Sequence, residues 1–117
     1  MPVIRIYGVP PDAKESRLEQ LIDDIVENLS SVPELGITSK QVTVFMPADL
    51  VVRGLGEEQV VYIDLFKNDK RTPEVKEKMA SIVGTLVVEC FPNSSFVEVL
   101  PKGYNPKEEG YWSWRKG

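Results

Sequence analysis

The chain has 117 residues, with 18 acidic and 14 basic side chains, no histidine, one cysteine and a net charge of −4. That length bounds it to one small domain with a modest core. The acidic balance argues against a binder of nucleic-acid backbone, and no apolar run is long enough to span a bilayer.

The head of the chain, Met1-Pro2, carries neither a basic stretch nor an apolar signal core, so a cytoplasmic location is expected. Val3 to Val9 reads as a first strand, ended by Pro10-Pro11 because proline cannot continue a ladder. Asp12-Ala13-Lys14-Glu15 then reads as a helix start, with Asp12 as cap and Glu15 reaching back. Leu18, Leu21, Ile22, Ile25, Val26 and Leu29 follow at helical spacing, opposite a face of acids. Gln41 to Met46 is a second strand, and Val51 to Gln59 is expected to form a short hairpin around Gly54 and Gly56. Val60 to Phe66 is a third strand. Thr72-Pro73-Glu74 opens a second helix with a cap, a proline in the first turn and an acid to complement the helix dipole. Its apolar face runs from Val75 through Met79, Val83 and Val87 to Cys90, which reads as a core residue. Ser95 to Leu100 is a fourth strand, and the rest is an aromatic loop or short terminal strand.

The order is therefore β-α-β-β-α-β, an α/β (α+β) chain whose halves, about 1–50 and 58–101, echo each other before a tail at 102–117. A helix after each odd strand implies right-handed crossovers, hence one mixed four-stranded sheet with both helices on one face. The same order also occurs in ferredoxin-like domains, which interleave the halves differently and include non-catalytic small-molecule binders. Alternation places Arg5, Tyr7, Thr43, Tyr62, Asp64, Phe66, Phe96 and Glu98 on the face away from the helices. That face is too aromatic for plain solvated surface, so a second subunit is expected to cover it, with Arg5 paired to Asp64 or Glu98. No metal or cofactor is expected, because a chain without histidine and with one cysteine assembles no zinc or haem ligand set.

Pro2 is the candidate base. Methionine removal before so small a residue leaves a secondary amine that titrates nearer neutrality than lysine, and an apolar pocket lowers it further. Met1-Pro2 at the head of the first strand and the duplicated layout resemble the tautomerase superfamily, which includes 4-oxalocrotonate tautomerase and macrophage migration inhibitory factor. Arg71-Thr72-Pro73-Glu74-Val75-Lys76 is similar to a helix-opening motif of its short members. Pro47-Ala48-Asp49-Leu50 through Gly54 and Gly110-Tyr111-Trp112 are similar to its long ones.

The resemblance implies a homotrimer whose sheets enclose a central barrel, with the active site between subunits and a small carboxylate as substrate. Pro2 would move a proton between carbon and oxygen of a 2-oxo acid, or serve a related hydration or dehalogenation. Lys67 would line the pocket, Arg71 would hold a carboxylate, and Trp112 would form part of the wall. Phe96 and Glu98 of a neighbour fall where the long members place a Tyr and an Asn, and Ile37 stands where they carry a pocket lysine. From the residues alone, Lys67 and Arg71 read equally as a solvated charged turn, and Trp114 as an interface seal. Two functions follow: a Pro2-dependent isomerase, or a non-catalytic binding or assembly module.

Overall fold

Alternating aliphatics decide the sheet. The computed structural model describes residues 1–49 and 56–116. In it β1 (Val3–Tyr7) buries Ile4 and Ile6 against the helices, and β3 (Glu58–Phe66) buries Val61, Ile63 and Leu65 on the same side. Between them α1 (Glu15–Ser30) contributes Leu21, Ile25 and Leu29, and β2 (Thr43–Phe45) forms one edge. After β3, α2 (Pro73–Cys90) contributes Met79, Val83 and Val87, and β4 (Phe96–Tyr104) forms the other edge. A short α3 (Pro106–Glu109) starts the tail.

The strand order is β2-β1-β3-β4. β1 runs parallel to β2 and β3 parallel to β4, while β1 and β3 are antiparallel at the centre with Val3 opposite Asp64 and Tyr7 opposite Val60. Each β-α-β half thus stays intact and lies beside the other. An interleaved order is absent, which removes the ferredoxin-like alternative. No helix among the described residues is long and apolar enough to cross a membrane.

Element ends differ from expectation for local reasons. Pro10-Pro11 closes a turn in which the Ala13 N–H donates to the Pro10 carbonyl at 3.0 Å, so Asp12 is used up before the helix begins. Lys14 stands at the N-cap of α1 without a side-chain cap. Ser39–Gln41 winds into a 3₁₀ turn, held by the Thr38 N–H on the Gln41 side-chain oxygen at 2.8 Å, which shortens β2. β4 runs four residues past Leu100 because, as an edge strand, it tolerates Pro101. Of the hairpin expected over Val51 to Gln59, residues 51–55 lie outside the described residues, and Glu58 and Gln59 belong to β3.

Candidate active site

The end of the sheet where β1 begins and β3 finishes gathers most of the candidate residues. Pro2 is buried there, its carbonyl accepting from the Thr43 N–H at 3.1 Å. One residue past the Val3–Asp64 pair, it sits level with Leu65. Lys67 follows β3 directly and ties its N–H to the Tyr104 carbonyl at 2.8 Å, leaving its side chain exposed. A cavity of about 240 Å³ lies at this end, lined by Leu65, Phe66, Lys67, Arg71, Lys76 and Gly103, with Asn68 and Asp69. Three cations against one carboxylate make it an anion-attracting hollow. Pro2 is not among its lining residues, so in one chain Pro2 and the cations share an end of the sheet and no common wall.

Arg71 is heavily engaged. Its Nε and Nη2 both donate to the Leu35 carbonyl, at 3.2 and 2.7 Å, and Nη1 donates to the Phe66 carbonyl at 2.6 Å. Desolvation by burial lowers its pKa. Trp112 is 83% exposed, and the tail that carries it turns back to this end, where the Tyr111 ring meets Phe66 edge-on at 5.2 Å.

Phe96 and Glu98 lie elsewhere. They oppose Glu58 and Val60 at the start of β4. At roughly 3.3 Å per residue, Leu65 lies about 23 Å along the strand from Glu58 and about 17 Å from Val60, so neither residue reaches Pro2 in its own chain. On the open face between the two ends, Arg5 bonds Asp64 at 2.9 Å, and its guanidinium carbon lies 5.3 Å from the centre of the Tyr62 ring. Partial desolvation works to lower the Arg5 pKa, but Asp64 and the Tyr7 hydroxyl outweigh it and the value is raised. Asp64, not Glu98, is therefore the Arg5 partner.

A larger cavity, about 620 Å³, sits at the far end of β1 between Gly8, Pro11, Leu18, Met46 and Asp49. Asp12, Glu57 and Glu58 complete a described lining that has four carboxylates and no cation, so it suits a small anion poorly.

No protein-family model matches the sequence, and no curated protein matches it. Solved structures do match. A fused 4-OT symmetric trimer shares 16% identity over 91% of this chain and 88% of its own, with a TM-score of 0.71. Macrophage migration inhibitory factor from Toxoplasma gondii covers 97% of this chain and 96% of its own at 16% identity, TM-score 0.69. A third structure, of a protein inactivated by 2-oxo-3-pentynoate, covers 89% and 87% at 14% identity, TM-score 0.74. This chain has the tautomerase-superfamily fold.

At such identities the shared property is the backbone path, and the tautomerase fold holds here with its own side chains. Ile37 is an instance: it is buried in the core, where a lysine would carry an unpaired charge. Lys76 and Gly103 were missed as site residues by sequence reasoning. Lys76 follows the cap Thr72 by four residues and so lies one helical turn on, a spacing that could have found it. Gly103 is opposite Leu65 only through the β3–β4 register, which the sequence does not print.

Proposed function

We propose that the chain is a tautomerase-like isomerase in which Pro2, freed by removal of Met1, is the general base for keto-enol proton transfer on a small 2-oxo acid. The observation that carries this reading is the placement of Pro2, buried at the same end of the sheet as a cavity lined by Lys67, Arg71 and Lys76. Burial disfavours the charged form of an amine, which leaves the Pro2 nitrogen a lone pair at neutral pH. It takes the proton from the carbon beside the carbonyl, negative charge builds on oxygen, and nearby cations stabilise it. The same proton returns to the other atom, so nothing is gained or lost. A homotrimer would complete the site by bringing Phe96 and Glu98 of a neighbour to the Pro2 end. The structural neighbour inactivated by 2-oxo-3-pentynoate supports a 2-oxo acid as the substrate class.

The test begins with intact mass. Loss of Met1, followed by a fall of about 10²- to 10⁴-fold in 2-oxo acid ketonisation for Pro2→Ala, is expected from loss of a general base. Equal rates for the two proteins would sink the proposal. The second reading, a binding or assembly module, would follow from retention of Met1, because the Pro2 nitrogen would then be an amide with no basic lone pair. A retained Met1 in the mass spectrum would decide for it.

A further inference from the structure

The resemblance gives carboxylate binding to Arg71, but the geometry points to Lys67 and Lys76 as the anion-holding pair, with Arg71 as the clasp that builds their cavity and Gly103 as a positioning residue for Lys67. The inference rests on the reading above for its substrate class, a small carboxylate, and on this chain's own geometry for the residues.

A guanidinium clamps a carboxylate through two parallel N–H donors. In Arg71 three of the five N–H donors are committed: the Nε–Nη2 edge is filled by the Leu35 carbonyl, and one Nη1 donor holds Phe66. Leu35 itself is buried. Offering the Nε–Nη2 edge to a ligand would strand that carbonyl away from water, a loss comparable to the hydrogen bond gained, so that edge is held for structure. What Arg71 does is join the turn after α1 to the end of β3, which fixes one wall of the cavity. The other two cations on the lining are Lys67 and Lys76. A cavity of about 240 Å³ falls below the range of roughly 300–1,000 Å³ that houses drug-sized ligands, so its occupant is a small anion.

Gly103 explains how a long, exposed lysine is aimed. A Cβ built on Gly103 would lie 2.8 Å from Lys67 Cγ, 3.6 Å from Cε and 3.8 Å from Cδ, so the lysine stem runs flat over the glycine. Lysine stems commonly bury along such surface while the ammonium stays free. The backbone at Gly103 carries no positive φ, so alanine fits the strand and the displaced object is the flexible stem.

The test is titration calorimetry with succinate at low ionic strength, on the untagged full-length protein. Succinate is a saturated dicarboxylate with no keto group, so it is bound and not turned over. Lys67→Gln and Lys76→Gln are each expected to weaken it about ten-fold, as loss of a partly exposed charged contact does. Gly103→Ala is expected to weaken it several-fold at unchanged thermal midpoint, and to add nothing on top of Lys67→Gln, the non-additivity of a residue that acts through another. The inference is overturned by a wild type that does not bind succinate, by lysine variants that bind as wild type does, or by additive effects of Gly103→Ala and Lys67→Gln. It is equally overturned by an Arg71→Gln that keeps its thermal midpoint and loses succinate. Inorganic phosphate in the same titration separates a carboxylate site, which takes succinate alone, from a general anion site that takes both and overturns the substrate class. Ketonisation by wild type and Pro2→Ala reads proton transfer separately, so succinate binding without activity sinks the Pro2 reading and leaves this one standing.

Discussion

At the scale of single residues, Gly8 carries the tightest steric demand among the described glycines. Its φ is +83°, and a Cβ there would fall 2.0 Å from the Glu58 carbonyl oxygen. The same residue anchors a polar network: its N–H reaches Asp49 at 2.9 Å, and its carbonyl accepts from the Gln59 side chain at 3.0 Å. Gln59 is wholly buried, and its other polar atom accepts from the Ser94 hydroxyl, so neither side-chain atom is left without a partner. Gly8→Ala is expected to cost about 3 kcal/mol or more in urea unfolding, because left-handed strain and a backbone collision add. A loss under about 1 kcal/mol would show that the strand ends give way easily. The turn at Gly8 was legible in the sequence, but the collision was not, since it depends on how β3 registers against β1. Cys90 offers a titration test. Burial raises its pKa, and Arg17 opposes that only in part. A thiol held above its unfolded value of about 8.5 contributes stability below that pH and loses it as pH rises through the folded value. Denaturation midpoints from pH 7 to 10 should therefore fall more in wild type than in Cys90→Ala. Parallel curves would remove the thiol from the account.

At the scale of elements, the two long helices differ in how they begin. α2 starts where the sequence says, since the signal is local: Thr72 accepts from the Val75 N–H at 3.3 Å and Pro73 fills the first turn. Thr72→Ala should cost about 1 kcal/mol by thermal unfolding, the usual effect of losing a cap. α1 has the reverse defect. Lys14 caps it with extended backbone, φ −72° and ψ 135°, which is the conformation a Ser or Asp cap adopts. Its positive charge also faces the positive end of the helix dipole. Lys14→Asp is thus expected to stabilise the protein by about 0.5–1 kcal/mol, and a destabilised variant would refute this account of the helix start. Sequence reasoning put the cap at Asp12 because the spacing to Glu15 fits a capping box, but two prolines ahead of it impose a turn first. β4 shows the same limit from the other side: a proline ends a central strand and only interrupts an edge, and edge position is a property of the sheet.

At the scale of the whole molecule, alternation made both faces of the sheet legible and stopped at what lies against the second. Phe45 is 53% exposed, and Tyr62 and Phe96 are each 40% exposed, on a face with no helix over it. Such a patch calls for a partner, and the separated halves of the candidate site call for the same one. Pro2, Lys67 and Lys76 stand at one end of the sheet and Phe96 and Glu98 at the other; the proposed homotrimer would bring them together through a neighbouring copy. The sequence held each half in view without the spacing between them, because that spacing is set by nine-residue strands and their register. Native mass spectrometry should therefore give three times the mass of one chain. Phe45→Lys, which puts a charge into the patch, should shift that mass to smaller species. Arg5 is the sharper probe. In an isolated chain its bond to Asp64 is one solvated surface pair, and such pairs contribute little. Under a second subunit the pair loses water, and removing the cation leaves Asp64 uncompensated. Arg5→Leu is accordingly expected to break the assembly and lower the denaturation midpoint together. An unchanged mass with an unchanged midpoint would mean that this face stays in water, and Pro2 would then have no second subunit to complete its site.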